Sequence, residues 1–449
     1  MTEERKSKVS VTIIGDAFAD IFCILEDGLP PLGGDVRLKH SMIPVAGGSG
    51  VNTSTHLASL VKDFSDENDE IIDVTLQTAF NEEDYYGTII GEHVKKSGFE
   101  VINCRKNKKE KDEETSKKNT GHCIVFVAEG ERSFATHLGV IESFKASDTI
   151  MRELLAIRTA DPSFFNHHHH LHIAGYYNMP GFSNGNLKRR LKSIRDKRRA
   201  KSVEPLNLTT TTSLVPQYDA TEEWDGGLVD ELLPLIDFLI LNALEAGYIS
   251  GIDIDEDDLS DEKRKVLKLS ELAEYFFEKS AFTHVVITLG PLGAVCLFNG
   301  EVLASISCPK RIAKPLDPTG AGDAFAAGFL FGVMNWRKQK SYGECAEIGS
   351  LLQGSWDNAI VEGMKYGCAA GTACVTKAGA SVVASKEEIQ ELLRMEEEME
   401  EPVIEYSDTD DNHSEDEEDS DSSYYSSEYS SQYDSEDFPD TCYEDEKKE

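Results

Sequence analysis

The chain predicts an α/β fold, a mainly parallel sheet with helices on both faces, on three observations. Short runs rich in Val, Ile, Leu and Thr alternate with polar or amphipathic stretches of crossover length, the pattern of βαβ units. Most of those runs are apolar throughout rather than at every second residue, as expected of strands covered on both sides. The 449 residues, with 40% hydrophobic content, supply a core for one large domain or two smaller ones.

Val9 to Ile14 reads as the first strand and Ile72 to Phe80 as the next, followed by Asp84 to Lys96 as an amphipathic helix stopped at Gly98. The Lys- and Glu-rich run 106–118 reads as an exposed insertion in what would be a short connection. His122 to Ala128 and Glu131 to Ala135, joined by Glu129-Gly130, read as a hairpin, set either in a small lid or in the main sheet. His167 to His170 with His172 invites a metal, but neighbours on a strand face opposite ways and cannot converge, so a polar loop is expected there. Leu171 to Ala174, Leu206 to Ser213, Phe238 to Leu241 and His284 to Leu289 read as buried strands, and the basic run Lys188 to Lys201 as a solvated helix after Gly185. Ligands of such sheets bind beyond the carboxyl ends of the strands, where the chemical motifs fall.

The sharpest of these is Leu316-Asp317-Pro318-Thr319-Gly320-Ala321-Gly322-Asp323-Ala324-Phe325. Gly320 and Gly322 allow a sharp turn that presents bare N–H groups of Gly320, Ala321 and Gly322 to a phosphate, and the apolar run behind them starts a helix whose positive end faces the same point. Asp323 falls in the first helical turn, where a carboxylate can take a proton from a hydroxyl lying beside the anion. A bare Gly-x-Gly-Asp is also an ordinary turn with an acidic residue after it.

This stretch, with Gly328-Phe329-Leu330 behind it, resembles the C-terminal signature of the ribokinase-like (PfkB) family of sugar and nucleoside kinases, and further pieces in the family's order run from about Val9 to Val383. The resemblance implies a three-layer ribokinase-like fold over residues 9–395, with a small β-lid whose strands come from roughly 15–50 and 121–136 and whose turn is like Gly130-Glu131-Arg132. Closure of such a lid would exclude water as a competing acceptor. Gly15-Asp16-Ala17-Phe18-Ala19-Asp20 resembles the family's opening motif, in which the last Asp, here Asp20, binds sugar hydroxyls; helix capping is the alternative use of that residue. Ala46-Gly47-Gly48-Ser49-Gly50-Val51-Asn52 matches the family's Gly-Gly-x-x-x-Asn, giving Gly48 for close backbone approach and Asn52 as donor and acceptor to the substrate. Phe18 stands where sugar-binding members often have Asn, and Ser49 where ribokinase itself has lysine, so the acceptor is expected to be divergent.

Asn242-Ala243-Leu244-Glu245 resembles the family's Asn-x-x-Glu, in which Asn242 and Glu245 would organise Mg²⁺ through water; the same spacing also makes a capping box. Thr288, Gly290 and Gly293 match the loop beside the ATP phosphates and ribose, and Gly367 and Cys368, in a helix over Gly363 to Thr376, match the lining of the adenine pocket, although tight helix packing explains small residues equally well. Asp317, Thr319, Cys374, Lys377 and Gly379 match positions around a monovalent cation, K⁺. Gln217-Tyr218-Asp219 through Trp224 loosely resembles the Asp-x-Asn-x-Arg to Trp stretch of sugar-acid kinases and fructokinases without its arginine, and contributes no site residue to this reading.

The implied function is transfer of the γ-phosphoryl group of ATP to a hydroxyl of a small, ribose- or fructose-like sugar, with Asp323 as general base. Two alternatives stand beside it. One is an adenosine-like nucleoside kinase, with Phe18, Tyr176 and Tyr177 placed to stack on a base, and the other a catalytically silent relative acting as an interaction module. The resemblance also admits a homodimer through the lid.

Composition excludes other classes. Nine scattered cysteines with no Cys-x-x-Cys pair suggest neither a disulfide framework nor a zinc ribbon, and a reducing, cytoplasmic setting is expected. The N-terminal residues form no apolar signal core, and the most apolar run, Leu232 to Leu244, is short and interrupted by Asp237, so no membrane is expected. The net charge is −37, of which Glu400 to Glu449 contributes −19 through 21 Asp and Glu against two Lys. No basic stripe argues for nucleic acid. Residues 396–449 are expected to be a disordered acidic, Ser- and Tyr-rich tail; Ser414 and Ser420 suit acid-directed protein kinases and its acids suit a basic partner, but a solubilising tail is the favoured reading.

Overall fold

The computed structural model describes residues 8–26, 28–64, 72–107, 118–128, 131–150, 167–200, 209–309, 315–339, 354–377 and 379–397. The expectations for the insertion and the acidic tail fall almost wholly outside these residues, as do Glu129-Gly130 and the start of the strand expected from Leu206.

In chain order the strands are β1 (Lys8–Gly15), β2 (Phe18–Ile24), β3 (Pro44–Gly47), β4 (Ile72–Thr78), β5 (Glu100–Asn103), β6 (His122–Ala128) and β7 (Glu131–His137). They continue with β8 (His167–Ala174), β9 (Thr209–Val215), β10 (Phe238–Asn242), β11 (His284–Thr288), β12 (Ala294–Phe298) and β13 (Glu301–Ile306). Nine of them form one sheet in the order β13-β12-β11-β10-β9-β8-β1-β4-β5. Pairing is parallel from β11 to β5, and the edge pair β12 and β13 is antiparallel. The other four form a second sheet, β3-β2-β6-β7. The expected hairpin, β6 and β7, is in this lid and not in the main sheet; β2 pairs in parallel with β6 and antiparallel with β3.

The helices are α1 (Ser49–Phe64), α2 (Tyr85–Ser97), α3 (Asn186–Ala200), α4 (Ala243–Ser250), α5 (Glu256–Ser260), α6 (Glu262–Lys279), α7 (Ala321–Gln339), α8 (Gly354–Cys374) and α9 (Lys386–Glu397). The period of two along the strands divides the core. Val9, Val11, Ile13, Phe238, Ile240 and Val286 face one layer with residues of α1, α2, α7, α8 and α9. Leu171, Ile173, Leu239, Leu241, Val285 and Ile287 face the other, with residues of α3, α4 and α6. Local signals set the helix ends: Asp84 caps α2 by accepting from the Gly87 N–H at 2.7 Å, and Gly98 ends it in the left-handed conformation at φ 79°.

The histidine run corrects one expectation. It is not a polar loop but β8, a central strand between β1 and β9. One neighbouring strand is Thr-Thr-Thr-Thr-Ser-Leu-Val, and its hydroxyls meet ring nitrogens of His168, His170 and His172. Thr211 Oγ1 lies 3.3 Å from His168 Nε2 and 2.8 Å from His170 Nδ1, while Ser213 Oγ lies 2.7 Å from His170 Nε2 and 2.6 Å from His172 Nδ1. The result is a buried ladder of alternating rings and hydroxyls. Burial pushes His172 down to about 3, so it is packed as a neutral ring.

Candidate active site

Two helix N-termini meet at one carboxylate. α1 begins at Ser49 and α7 at Ala321, so Ser49 and Asn52, three residues apart on one face of α1, reach Asp323 in the first turn of α7. Ser49 Oγ donates to Asp323 Oδ1 at 2.7 Å, and Asn52 Nδ2 donates to Oδ2 at 2.9 Å. A third donor was not expected from the sequence: Gln217 Nε2, just beyond β9, reaches Oδ1 at 3.0 Å. Asn52 is more occupied than a substrate contact would be, because its Oδ1 accepts from Ser381 Oγ at 2.6 Å. What it has left to offer a substrate is its second Nδ2 hydrogen.

Gly48 makes this convergence possible. It sits at φ 90°, and a Cβ there would lie 2.9 Å from the Phe18 nitrogen and 3.0 Å from the Ala17 Cα, so only glycine lets the turn between β1 and β2 press against the start of α1. That turn carries Asp16, which accepts from the Gly50 N–H at 3.2 Å and from Asn178 Nδ2 at 2.7 Å. Asp16 escaped notice in the sequence, although the doubled acid of Gly15-Asp16 to Asp20 was a signal for it. Asp20 follows on β2 in the lid, opposite Val45 and Cys123, so it caps no helix. Its carboxylate is 7% exposed and accepts from no donor among the described residues. A buried carboxylate without protein donors is a group that a ligand's hydroxyls would satisfy.

Burial raises the carboxyl groups of Asp20, Asp16, Glu245 and Asp323, by different amounts. Asp20 is pushed up to about 8, first by burial and then by repulsion from Asp16, Asp323 and Asp317. Asp16 and Glu245 reach about 7 for the same first reason. Asp323 is raised only to about 6, because the bonds from Ser49, Asn52 and Gln217 favour its charged form and offset part of the burial effect. Of these four Asp323 gives up its proton most readily, as suits a general base.

The turn ahead of α7 has the character of an anion site. Gly320, at φ 80°, bends the chain, and among the described residues the N–H groups of Gly320, Gly322 and Asp323 meet no protein acceptor. Ala321 is a correction: its N–H is turned onto the Pro318 carbonyl at 3.2 Å, so the free donors are the glycines and Asp323. Asp317 anchors this turn. Its Oδ1 accepts from the Thr319 N–H and its Oδ2 from the Gly379 N–H, at 2.9 and 2.8 Å. Arg132, on β7 of the lid, pairs with Oδ1 at 2.9 Å. The residues expected around a monovalent cation are brought together, with Cys374 Sγ 3.7 Å from the Thr319 carbonyl and the Lys377 N–H bonded to the Cys374 carbonyl at 3.0 Å. Lys377 Nζ itself pairs with Glu388 at 2.6 Å. With both Asp317 oxygens bonded to donors, backbone carbonyls are the ligands this region has to offer a cation.

Asn242 and Glu245 adopt the capping-box geometry. Asn242 Oδ1 accepts from the Glu245 N–H at 2.8 Å, and Glu245 Oε2 accepts from the Asn242 N–H at 3.1 Å. This fixes the Glu245 carboxylate at the end of β10, close enough to Asp323 for the two charges to interact, with Oε1 left over. Thr288 ends β11, and Gly290 to Gly293 form the turn that follows, with Gly293 at φ 105°. Gly367 and Cys368 are closely packed among the described residues. A Cβ on Gly367 would stand 2.9 Å from the Phe325 ring, and Cys368 is buried in the core, so the small residues of α8 serve close packing against α7. Phe18 and Tyr176, expected to stack on a base, are also core residues, and the Tyr176 hydroxyl donates to the Gly226 carbonyl at 2.5 Å.

Comparison with known proteins gives a concordant result. The model of the pfkB family of carbohydrate kinases matches residues 10–387. The ribokinase of Haemophilus influenzae is 31% identical over 172 residues, which are 37% of this chain and 44% of that protein. Adenosine kinase 2 of Arabidopsis thaliana is 26% identical over 249 residues, 56% of this chain and 63% of that protein. The match thus covers less than two thirds of either relative. Among solved structures, ribokinase from Giardia lamblia superimposes with a TM-score of 0.62 at 20% identity, over 86% of this chain and 99% of that one. Ribokinase from Cryptococcus neoformans in complex with ADP does so with a TM-score of 0.56 at 21% identity, over 86% and 99%. These structures share the fold. No described helix is long and apolar enough to cross a membrane.

Proposed function

Because the chain belongs to the pfkB family of carbohydrate kinases, we propose that it transfers the γ-phosphoryl group of ATP to a hydroxyl of a small sugar, with Asp323 as the general base. The observation that carries this reading is the Asp323 carboxylate, held by Ser49, Asn52 and Gln217 and adjoining N–H groups of Gly320 and Gly322 that have no protein acceptor among the described residues. A base and an anion site on one helical turn are what in-line transfer to an alcohol needs.

In the reaction the acceptor hydroxyl gives its proton to Asp323 as its oxygen bonds to the γ-phosphorus, and the bond from that phosphorus to the bridging oxygen breaks to release ADP. Asp20 accepts from other hydroxyls of the acceptor, and those hydrogen bonds favour its charged form, offsetting part of the burial and repulsion that raise it when alone. The free amides of the Gly320–Asp323 turn meet the charge of the migrating group. Mg²⁺ on the phosphates would find Glu245, through Oε1 or water, and would supply charge neutralisation. K⁺ would sit among the carbonyls of the Thr319 and Cys374 segments. The lid, attached to the anion turn through Arg132 and Asp317, would keep water from acting as acceptor.

A nucleoside acceptor is the second reading, and the adenosine kinase relatives favour it. The burial of Phe18 and Tyr176 weighs against base stacking at those residues. A coupled ADP-release screen over pentoses, hexoses, their phosphates and nucleosides tests both. Turnover with a free sugar supports the first reading, turnover with nucleosides alone replaces it with the second, and no turnover with any acceptor rejects the kinase.

A further inference from the structure

Gln217 is a strained residue on the candidate base. Its Nε2 lies 3.0 Å from Asp323 Oδ1 and 3.2 Å from Ser49 Oγ, while its Oε1 accepts from no donor among the described residues. The backbone stands at φ 64°, in a left-handed conformation that glutamine rarely adopts. It is not alone, since Glu222 and Trp224 of the same loop stand at φ 58° and 52°. A buried carboxylate holds the loop in this shape: Asp219 accepts from the Thr221 N–H at 2.9 Å, the Thr221 hydroxyl at 2.7 Å and the Trp224 N–H at 2.8 Å. Left-handed non-glycine residues persist where the surroundings over-determine them, and they concentrate at ligand sites. Here the effect of the strain is to set one amide against the base with its carbonyl end unused.

We propose that Gln217 both positions the base and binds the acceptor: Nε2 holds Asp323 Oδ1, and Oε1 accepts from a second acceptor hydroxyl close to the one that reacts. This rests on the kinase reading above and narrows its substrate class to polyhydroxylated acceptors, because a lone alcohol would leave Oε1 without a donor. With Oδ1 committed to Ser49 and Gln217, the reacting hydroxyl is directed to Oδ2, beside Asn52. The charged or titratable groups that act on this centre are Asp16 and Asp20 of the strand β1 to β2 region, Glu245 of α4, Asp317 before α7 and Cys374 at the end of α8.

Two measurements test it, one of them independent of turnover. In the free full-length protein, carboxyl ¹³C titration of Asp323 should move to higher pH in Gln217→Leu, because a donor to the charged form is lost. Gln217→Asn keeps an amide and suits the left-handed backbone, but it is one methylene too short to reach; it should show the same displacement with an unchanged melting temperature, which separates the contact from misfolding. With the acceptor found by the screen, kcat/KM should fall about tenfold to a hundredfold in Gln217→Leu, the range expected for one hydrogen bond to a charged group. Deoxy analogues that keep the reacting hydroxyl and lack one other at a time then identify the partner: one of them should lower kcat/KM in wild type and cost Gln217→Leu nothing more. An unchanged Asp323 titration overturns the positioning role, and penalties equal in wild type and variant for every analogue overturn the binding role. If no acceptor is turned over the kinase reading fails, while the titration still decides whether Gln217 holds Asp323.

Discussion

Arg132 of the lid and Asp317 at the head of the Gly320 turn form an ion pair of 2.9 Å, with side chains only 10% and 8% exposed. Asp317 also gathers the Thr319 and Gly379 N–H groups, so a single carboxylate joins the lid, the turn that would receive phosphate and the segment after α8. Lid position and phosphate-site geometry are therefore coupled through one contact.

Removing one partner of a buried pair leaves the other charged and poorly solvated, which typically costs about 3 kcal/mol or more. Arg132→Ala is expected to lower unfolding stability by roughly that amount in urea, and Arg132→Ala with Asp317→Asn by less than the sum of the single changes. Additive effects would mean that the pair does not join the lid to the turn.

Asp323→Asn removes the proposed base and keeps the shape. Turnover should fall by about 10²- to 10⁴-fold, the usual contribution of a positioned general base. Binding of ATP, followed by calorimetry, should be nearly unchanged, since the free amides of Gly320 and Gly322 remain. In the unaltered protein kcat/KM should rise with pH through about 6, as Asp323 loses its proton. Near-normal turnover by the variant would reject Asp323 as the base.

The parts of this site that were legible in the sequence are those whose spacing is also their geometry. Asn52 lies in the first turn of one helix and Asp323 in the first turn of another, so two Gly-rich loops read in one dimension already describe two helix ends, whereas Ser49, read only as a departure from lysine, was not assigned to Asp323. Gln217 was not legible, because its place depends on a loop bent by Asp219 into conformations that local preference disfavours. The histidines of β8 misled for a different reason. Polarity argued for a loop, but the matching hydroxyls stand on β9, about 40 residues downstream in the chain, and become partners only when the strands pair, as His170 does with Thr211. Gly367 shows the converse, a small residue whose apparent slot is filled by Phe325.

The raised carboxyl groups make a prediction about stability. Between pH 6.5 and 8 the folded protein holds protons on Asp20, at about 8, and on Asp16 and Glu245, at about 7, whereas ordinary carboxyl groups of the unfolded chain hold none. The folded state thus binds more protons, so stability falls as pH rises through this window. Below about 7.5 His56 and His284, depressed by burial to about 4, and His172, at about 3, begin to oppose the trend, because only the unfolded chain protonates them there, but three histidines taking up about half a proton each at pH 6.5 do not outweigh the carboxyl groups. The ligand-free protein should melt several degrees higher at pH 6.5 than at pH 8, and Asp20→Asn should flatten the difference. A melting temperature that rises from pH 6.5 to 8 would contradict the burial of these groups.

Two glycines of one turn should answer differently to the same substitution. Gly320 stands at φ 80°, and a Cβ there would lie 2.7 Å from that of Ala380, so Gly320→Ala should destabilise the fold as well as stop phosphoryl transfer. Gly322, two residues on, is helical, and a Cβ there would meet nothing within 4 Å. Alanine is about 0.5–1 kcal/mol better than glycine inside a helix, so Gly322→Ala should leave the melting temperature unchanged or slightly higher. Yet a helical Cβ leans toward the N-terminal end, here toward the free amides, and a methyl group would occupy space that a phosphate needs. Weakened ATP binding and at least a tenfold loss of kcat/KM, without loss of stability, would separate the anion site from the scaffold that holds it. Normal turnover by Gly322→Ala would place the phosphate elsewhere and leave the unpaired amides of the turn without a ligand.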